Sequence, residues 1–316
     1  MTVLVVDGPF EAGTDLILGE LASAGVPVFR IDTAQFPVEL EFRASFDSNG
    51  RWEGVIADSY RSVLLSGINA VYWNRPGTFQ FPGLSEADEH FARGAARIGF
   101  GGVLTSLEAP FMNHPSKASA AEFKPRQLQI ASAAGLTVPR TLVTTDAQAV
   151  RRFAKMIDAP IITKPLGLPV VSHEDGYEQM YTRVVDLDSL SGVSMTAHLF
   201  QEQEEKDFEV RLIFVGDECH SAQIDAGSEQ ALIDWRTDYD SLTVAPIATP
   251  CAIGNAMKRY AAVMGLAYFA ADFIVRPSGE WVFLEANPSG QWAWANSPDL
   301  PLATAIARTL EDWCQR

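Results

Sequence analysis

The segment Ala270–Gln291, AADFIVRPSGEWVFLEANPSGQ, constrains the fold of this chain more than any other stretch. Two runs rich in aromatic and β-branched residues, Phe269–Arg276 and Glu280–Ala286, are separated by a short Pro- and Gly-containing sequence. Proline and glycine are typical of chain reversals between paired strands. The segment therefore predicts two antiparallel strands joined by a turn.

Three oxygen-bearing side chains are predicted on one face of this hairpin. Asp272 lies on the first strand, and Glu285 and Asn287 lie two positions apart on the second. Because side chains alternate across a strand, Glu285 and Asn287 point the same way, and pairing can bring Asp272 beside them. Such hard oxygen ligands suit a Mg²⁺ ion that nucleotide phosphates also hold. A solvated hairpin face is the weaker alternative, because both carboxylates sit in apolar runs and an unpaired buried charge is costly. We expect cationic side chains opposite them.

Composition restricts the class of protein. A chain of 316 residues with 47% hydrophobic and 20% charged residues can form two or three globular modules. Its formal net charge of -16 argues against a nucleic-acid partner, which would need clustered Lys and Arg.

Nothing in the sequence predicts a membrane span or an exported protein. No apolar run approaches the roughly 20 residues that a span requires, and the N-terminal MTVLVVDGPF reads as a strand rather than a signal peptide. The three widely spaced cysteines and the five histidines show neither a disulfide framework nor zinc-ligand spacing. We therefore expect a cytoplasmic protein without a membrane partner.

The N-terminal third has the pattern of a small α/β unit. Val3–Asp7, Thr14–Ala24 and Val26–Ile31 predict a strand, a helix and a second strand, and Leu40–Val63 predicts a β-meander. Neither a G-x-G-x-x-G sequence nor a P-loop sequence follows any predicted strand, which disfavours Rossmann and P-loop folds. Arg75 follows the predicted strand Ala70–Trp73 and is a candidate for binding a substrate carboxylate, although a surface arginine is an equal alternative.

Two lysines in the middle of the chain are candidates for binding phosphates. A predicted linker, residues 112–115, precedes the predicted helix Ala118–Ala134, which carries Lys124 near its start. Lys164 ends the predicted strand Pro160–Lys164 and leads into a glycine-containing loop that could close over phosphates. An exposed lysine at a strand end is the alternative for Lys164. The strand Thr137–Thr144 and the helix Asp146–Met156 are predicted between them.

The following strands supply further polar candidates. An extended backbone over Gln201, Glu202, Gln203 and Glu204 could bind an adenine edge through main-chain groups, with a carboxylate on the ribose. Arg211, on the predicted strand Asp207–Val215, would place a permanent positive charge near the carboxylates, with a structural ion pair as the alternative.

The order of these features resembles the ATP-grasp superfamily. The matching elements are Lys124, Lys164, the Gln201–Glu204 segment, Glu209-Val210-Arg211, and Asp272 with Glu285-Ala286-Asn287. More narrowly, KPRQLQIASAAGLTVPRTLVTTD, FEVRLIFVGDE, LIDWRTDY and EWVFLEANPSGQW resemble the ATP-grasp ribosomal peptide maturases, the microviridin-type macrocyclases or graspetide synthetases.

This resemblance implies an α/β (α+β) ATP-grasp fold in three parts. They are an N-terminal α/β pre-ATP-grasp domain over 1–112, a central lid domain over 113–198 and a C-terminal ATP-grasp domain over 199–316. It implies ATP and Mg²⁺ as cofactors. The implied partner is a ribosomal precursor peptide with a leader and a core, and a homodimer is also considered.

The resemblance also implies roles for individual residues. ATP contacts would come from Lys124, Lys164, Gln201, Glu202, Gln203, Glu204 and Glu209, and metal ligands from Asp272, Glu285 and Asn287. Arg211 and Arg236 would be catalytic, with Arg236 holding an acyl phosphate. Asp234 and Asp238, which flank Arg236 in the sequence, are hypothetical general bases.

The implied reaction is ATP-dependent activation of peptide side-chain carboxylates as acyl phosphates, followed by ω-ester or ω-amide ring closure. Two alternatives stay open at this point. One is an ATP-grasp ligase that joins amino acids or other small molecules, and the other is a nucleotide-binding protein without turnover.

Overall fold

A computed structural model describes residues 1–9, 11–167, 170–173, 176–228 and 231–315. Its first elements are β1 (Thr2–Asp7), α1 (Ala12–Ser23), β2 (Val28–Ile31), β3 (Glu41–Phe46), β4 (Trp52–Ala57), β5 (Ser62–Leu64), β6 (Ile68–Asn74), α2 (Glu86–Thr105) and β7 (Phe111–Met112). The parallel sheet has the order β2-β1-β6-β7, and β3-β4-β5 form the expected antiparallel meander. The predicted α/β pattern of this third is thus confirmed.

Both faces of the parallel sheet are buried, which explains why β1 is a continuous apolar run. Val3 and Val5 pack against α1 on one face, while Leu4 and Val6 pack with residues of α2 on the other. An apolar strand of this kind needs cover on both sides, and the two helices provide it.

The middle of the chain differs from the sequence-based expectation in two places. Its elements are α3 (Pro115–Ala121), α4 (Lys124–Ala133), β8 (Thr141–Thr144), α5 (Ala147–Ile157), β9 (Ile161–Lys164), β10 (Val170–His173), β11 (Gly176–Gln179), β12 (Arg183–Val184) and β13 (His198–Glu202). The predicted helix Ala118–Ala134 is two helices, because Pro125 has no N–H and fits only the first turn of a helix. The strand predicted from Thr137 begins only at Thr141, after Pro139.

An antiparallel sheet of the order β12-β9-β13-β8 packs on α5. The predicted closing loop after Lys164 is described only in part, since Leu168 and Pro169 lie outside the described residues.

The last third forms a five-stranded antiparallel sheet of the order β16-β15-β14-β17-β18. The elements are β14 (Phe208–Val215), β15 (Glu218–Asp225), β16 (Thr243–Ile247), α6 (Cys251–Met264), β17 (Tyr268–Val275), β18 (Trp281–Asn287) and α7 (Leu302–Gln315). One face packs on α4 and α6, and the other packs on α7 together with residues of β1 and α1. The N-terminal and C-terminal sheets therefore share one apolar core.

The central hairpin of the sequence analysis is confirmed as β17 and β18. Gly279 in the turn has a φ of 82°, a left-handed conformation that favours glycine. Below the hairpin, the rings of Phe273, Phe283 and Trp281 pack edge to face, with centroids 5.4–5.6 Å apart. This aromatic layer fixes the face opposite to the one that carries the carboxylates.

Among the described residues, no helix combines the length and the apolar character needed to cross a lipid bilayer.

Removing the ring of Phe273 tests this packing. Phe273 is fully buried, so Phe273→Ala should lower the free energy of unfolding by about 3–5 kcal/mol, as cavities in cores do. Phe91→Ala is the control, because Phe91 is 78% exposed and its loss should change stability by less than about 0.5 kcal/mol. Denaturant titration measures both, and equal effects would contradict the assigned core.

Candidate nucleotide and metal site

The hairpin register places two carboxylates side by side. Asp272 of β17 is directly opposite Glu285 of β18, and a bulge follows immediately between Asp272 and Phe273. Asp272 is buried, with 4% of its surface exposed. Two adjacent anions in this position repel each other, so the surrounding side chains must supply positive charge.

Three cations surround Glu285. The Lys124 ammonium, at the N-terminus of α4, lies 2.7 Å from Glu285 Oε2, and Lys164, at the end of β9, lies 3.8 Å from the same oxygen. Arg236 Nη2 lies 3.4 Å from Oε1. These are the cationic side chains expected opposite the hairpin.

Two arginines bind Asp272 from different sides. Arg211 Nη1, on the neighbouring strand β14, donates to Oδ1 at 2.8 Å, and Arg236 Nη2 donates to Oδ2 at 2.5 Å. Arg236 therefore bridges the two carboxylates.

The electrostatic balance keeps Glu285 ionised. Burial alone would raise the pKa of Glu285, but the charges of Lys164, Lys124 and Arg236 outweigh burial and hold it well below its ordinary value. Burial lowers the pKa of the Lys164 ammonium, and Lys124 and Arg236 lower it further against the opposing charge of Glu285.

Two adjoining cavities meet at these charges. The smaller, of about 60 Å³, and the larger, of about 270 Å³, share Lys164, Thr182, Asp234, Arg236 and Glu285 as lining residues. Five predicted site residues line only the smaller cavity: Gln201, Glu202, Glu204, Glu209 and Asp272. Lys124 and Asn287 line only the larger cavity.

Part of the segment predicted to bind adenine already uses its main-chain groups in other hydrogen bonds. The backbone of Gln201 and Glu202 lies within the ladders of β13 with β8 and β9, and the Gln203 N–H donates to the Pro160 carbonyl. The Gln203 side chain is exposed and is not among the residues that line either cavity. Main-chain contacts with a base would therefore begin beyond β13, at Glu204.

The acidic and amide side chains of this segment have defined surroundings. Glu202 pairs with Arg140, and Glu204 pairs with Arg276. Burial raises the pKa of Glu204, Arg276 opposes that effect, and the charge of Glu202 adds to it. Gln201 Oε1 is buried without a hydrogen-bond partner among the described residues, so an acceptor beside the smaller cavity is available to a ligand donor.

Glu209 and Arg211 lie on β14 but have different environments. Glu209 is buried beside the smaller cavity and pairs with Lys206. Burial raises the pKa of Glu209 above its ordinary value, although the charge of Lys206 opposes that effect. The Arg211 guanidinium is committed to Asp272 and to the carbonyl of Gln291, 2.9 Å away, and is not among the residues lining the two cavities. The ion-pair alternative for Arg211 fits this geometry.

Arg75 lies in a separate cavity of about 310 Å³, which Tyr72 and Trp292 also line. Its guanidinium donates to the carbonyl of Ser289 at 2.5 Å. Arg75 is thus apart from the carboxylate pair, although Ser289 is only two residues beyond Asn287.

The two hypothetical bases differ in their access to the cavities. Asp234 lines both cavities, and its carboxylate accepts hydrogen bonds from the N–H groups of Arg236 and Thr182. Asp238 is not among the described residues that line either one, and hydrogen bonds from Ser228 and Ser241 lower the pKa of its carboxyl.

Sequence reasoning missed two buried amides, Asn113 and Gln127. Residues 112–115 were expected to be a linker, yet Asn113 is 3% exposed and bonds the backbone at Tyr268 and Pro288. Gln127 bonds the backbone of Ala286, between Glu285 and Asn287. The only sequence signal was the i, i+3 spacing of Lys124 and Gln127, which puts both on one helix face.

The three predicted metal ligands suit Mg²⁺ but would fill only part of its coordination sphere. Asp272 and Glu285 are adjacent carboxylates, and Asn287, two positions beyond Glu285, is exposed. Across the described part of the chain, no group of three His, Cys, Asp or Glu side chains gathers as a metal centre. An ion held here would need oxygens from phosphates or water to complete its coordination, as is usual for Mg²⁺.

The ion pairs of Glu285 predict a pH effect. Because its pKa is lowered in the folded state, Glu285 stabilises the fold above the ordinary glutamate pKa of about 4.3, and this contribution is lost as the pH falls below it. Between about pH 5 and pH 3, the free energy of unfolding should therefore fall less in Glu285→Gln than in wild type, by on the order of 2 kcal/mol.

Denaturant titrations at several pH values measure this effect. Glu122→Gln is the control, because Glu122 is an exposed carboxylate that lines the same larger cavity. Parallel stability curves for wild type and Glu285→Gln would contradict the assigned ion pairs.

Comparison with known proteins supports the fold. No protein-family model matches the chain, and no curated protein does. Among solved structures, macrocyclase MdnC bound with precursor peptide MdnA, from Microcystis aeruginosa MRC, is similar with 28% identity and a TM-score of 0.85. The match covers 99% of this chain and 100% of that one.

Two further structures match at lower identity. A RiPP-associated ATP-grasp ligase from Chryseobacterium gregarium, in complex with ADP and a leader and core peptide, has 24% identity and a TM-score of 0.90. The match covers 98% and 96% of the two chains. ATP-grasp ligase PsnB, complexed with a phosphomimetic variant of minimal precursor, Mg and ADP, has 22% identity and a TM-score of 0.77, covering 99% and 98%. The chain has the ATP-grasp fold expected from its sequence, and over nearly its whole length it resembles the ATP-grasp peptide macrocyclases.

Proposed function

We propose that this protein is an ADP-forming ligase that closes ω-ester or ω-amide rings within a ribosomal precursor peptide. The observation that carries the proposal is the carboxylate pair Asp272 and Glu285, set among cations at the junction of two cavities. The similarity of the whole chain to MdnC, a macrocyclase bound with precursor peptide MdnA, supports a peptide substrate for this site.

The charges of the site suit a triphosphate. Four cationic side chains, Lys124, Lys164, Arg211 and Arg236, face the three carboxylates of Asp234, Asp272 and Glu285. Binding an anion relieves the repulsion among the cations, and burial strengthens each attraction. We place the triphosphate in the larger cavity, against Lys124 and Lys164, and the base in the smaller one, beside Gln201 and Glu204.

Mg²⁺ would be held by Asp272, Glu285 and Asn287, and when bound it neutralises phosphate charge during transfer. Arg236 now bridges the carboxylates that the ion would take, so its guanidinium must leave at least one of them. The released guanidinium would be free to bind the activated carboxylate through two hydrogen bonds.

The proposed reaction has two steps, activation of a carboxylate and ring closure. A side-chain carboxylate oxygen of the peptide forms a bond to the γ-phosphorus of ATP, and ADP leaves with the electrons of the broken P–O bond. A hydroxyl or amine of the same peptide then attacks the acyl carbon, loses its proton, and expels phosphate. Arg236 and Lys164 would stabilise the charge that develops on the oxygens. Asp234 is the better placed of the two candidate bases for accepting the proton, because it lines both cavities.

The finer features of the proposal follow the family pattern. We propose a leader that binds apart from the reacting core of the peptide, and a division into an N-terminal domain over 1–112, a lid over 113–198 and a C-terminal domain over 199–316. A homodimer and a cytoplasmic location belong to the same proposal.

The direct experiment combines the protein with ATP, Mg²⁺ and a precursor peptide whose core carries Thr or Ser with Asp or Glu. Each ring formed removes one water from the peptide, which mass spectrometry detects, and one ADP appears per ring. ADP release with free amino acids and without peptide would instead favour a small-molecule ligase. ATP binding without turnover on any acceptor would favour the non-catalytic alternative.

Substitution of the metal ligands should stop ATP consumption. Glu285→Gln and Asn287→Ala remove oxygen ligands, so we expect ADP formation to fall by at least about 100-fold while circular dichroism remains unchanged. Glu86→Gln, an exposed carboxylate of α2 that lines neither cavity, is the control. Wild-type turnover in either variant would remove that residue from the metal site.

Arg236→Ala should separate nucleotide binding from ring closure. We expect ADP binding within about threefold of wild type and ring formation reduced by about 100-fold, because the variant loses charge stabilisation of the activated carboxylate. Arg43→Ala, an exposed arginine of β3, is the control. Unchanged ring formation in Arg236→Ala would assign the arginine to structure alone.

A further inference from the structure

The segment Ala286–Gln291 comprises the end of β18 and the chain directly after it, and beyond the pairing of β18 with β17 it is held by side chains. Five of its carbonyl groups each accept a hydrogen bond from a different residue. The donors are Gln127 to Ala286, Asn113 to Pro288, Arg75 to Ser289, Tyr268 to Gly290, and Arg211 to Gln291. Five residues from separate parts of the chain therefore converge on this six-residue segment.

Gln127 takes the place of a missing strand. β18 is at the edge of its sheet, and Ala286 pairs with Ala271 only on one side. On the other side, Gln127 Nε2 donates to the Ala286 carbonyl at 2.8 Å, and Gln127 Oε1 accepts from the Ala286 N–H at 3.0 Å. The same Nε2 also donates its other hydrogen to the carbonyl of Ala121, at 2.7 Å. The backbone between Glu285 and Asn287 is thus fixed by one buried amide.

Asn113 fixes the chain directly after Asn287. Its Nδ2 donates to the carbonyls of Pro288 and Tyr268 at 2.9 and 2.6 Å, and its Oδ1 accepts from the N–H groups of Ala267 and Tyr268 at 2.8 and 3.0 Å. An asparagine amide has two donor hydrogens and two acceptor lone pairs, and all are used. The start of β17 and the segment after β18 are therefore tied to one side chain.

Gly290 shows how closely this segment approaches β17. A Cβ at this position would lie 2.4 Å from the Cβ of Ala270 and 2.8 Å from a guanidinium nitrogen of Arg211. Only glycine fits at such a distance. The segment is held in a single path, since neither neighbour can withdraw without breaking the sheet or the Arg211–Asp272 pair.

We propose that Gln127 and Asn113 are positioning residues for the metal ligands Glu285 and Asn287. The hydrogen bonds of both amides described above go to main-chain groups, and each amide holds the backbone beside a proposed ligand. Groups behind metal ligands orient them, and their loss weakens metal binding by about 10–100-fold. The same helix α4 contributes Lys124 to Glu285 and Gln127 to Ala286, so it sets both the charge and the position of this strand end.

The proposal rests on the proposed function, because it needs Mg²⁺ and a nucleotide at this site. Its test separates the two. Calorimetry measures Mg²⁺ binding to the protein–ADP complex, ADP binding in EDTA, and the melting temperature, for wild type and for Gln127→Met. Gln129→Met is the matched control, because Gln129 is an exposed residue of the same helix.

We expect Gln127→Met to weaken Mg²⁺ binding to the ADP complex by about tenfold or more. ADP binding in EDTA should fall by much less, because Gln127 lines the larger cavity but spends its hydrogen bonds on the backbone of Ala286 and Ala121. Gln127→Asn, which keeps the amide but shortens its reach to Ala286 by one methylene, should show a loss in the same direction. It also carries the test should Gln127→Met fail to fold.

Unchanged Mg²⁺ affinity in the Gln127 variants would overturn the positioning role. An equal loss of Mg²⁺ and metal-free ADP binding would also overturn it, because a general loss of structure affects both. A wild-type protein that binds ADP without any Mg²⁺ dependence would overturn the proposed function itself.

Discussion

The structure depends on the neutralisation of two carboxylates that a hairpin forces together. Asp272 and Glu285 are opposite each other on a largely buried face, where isolated anions would be expensive. The cations that stabilise them, Lys124, Lys164, Arg211 and Arg236, come from four different parts of the chain. Satisfying this one requirement brings α4, β9, β14 and the Arg236 loop to the hairpin, and so builds a charged pocket.

The same arrangement suits the reaction of ATP that we propose. The aromatic layer under β17 and β18 makes the hairpin a rigid support, while the side chains on its upper face are charged and face cavities. Arg236 contacts both carboxylates, yet its side chain is 30% exposed and belongs to a short loop. In the proposed function it is the cation that a metal ion would displace, whereas Arg211 is held between Asp272 and the Gln291 carbonyl.

Much of the fold and part of the site could be predicted from local patterns. The hairpin and the α/β opening have clear periodicity, and the cations near Asp272 and Glu285 follow from the cost of burying charge. Periodicity alone does not show the boundaries near Pro125 and Pro139, where α4 begins at Lys124 and β8 begins at Thr141. The roles of Asn113 and Gln127 at the segment Ala286–Gln291 could not be predicted, because the main-chain groups that they bond there are more than 150 residues away and any sequence supplies the same groups.

The most direct measurement is a crystal structure of the protein with ADP and Mn²⁺, a Mg²⁺ substitute that anomalous scattering locates. The account predicts a manganese peak between Asp272 and Glu285, with Asn287 in its coordination sphere, ADP phosphates against Lys124 and Lys164, and the Arg236 guanidinium moved off at least one carboxylate. A manganese ion bound elsewhere, with Arg236 still bridging Asp272 and Glu285 while ADP is present, would contradict it.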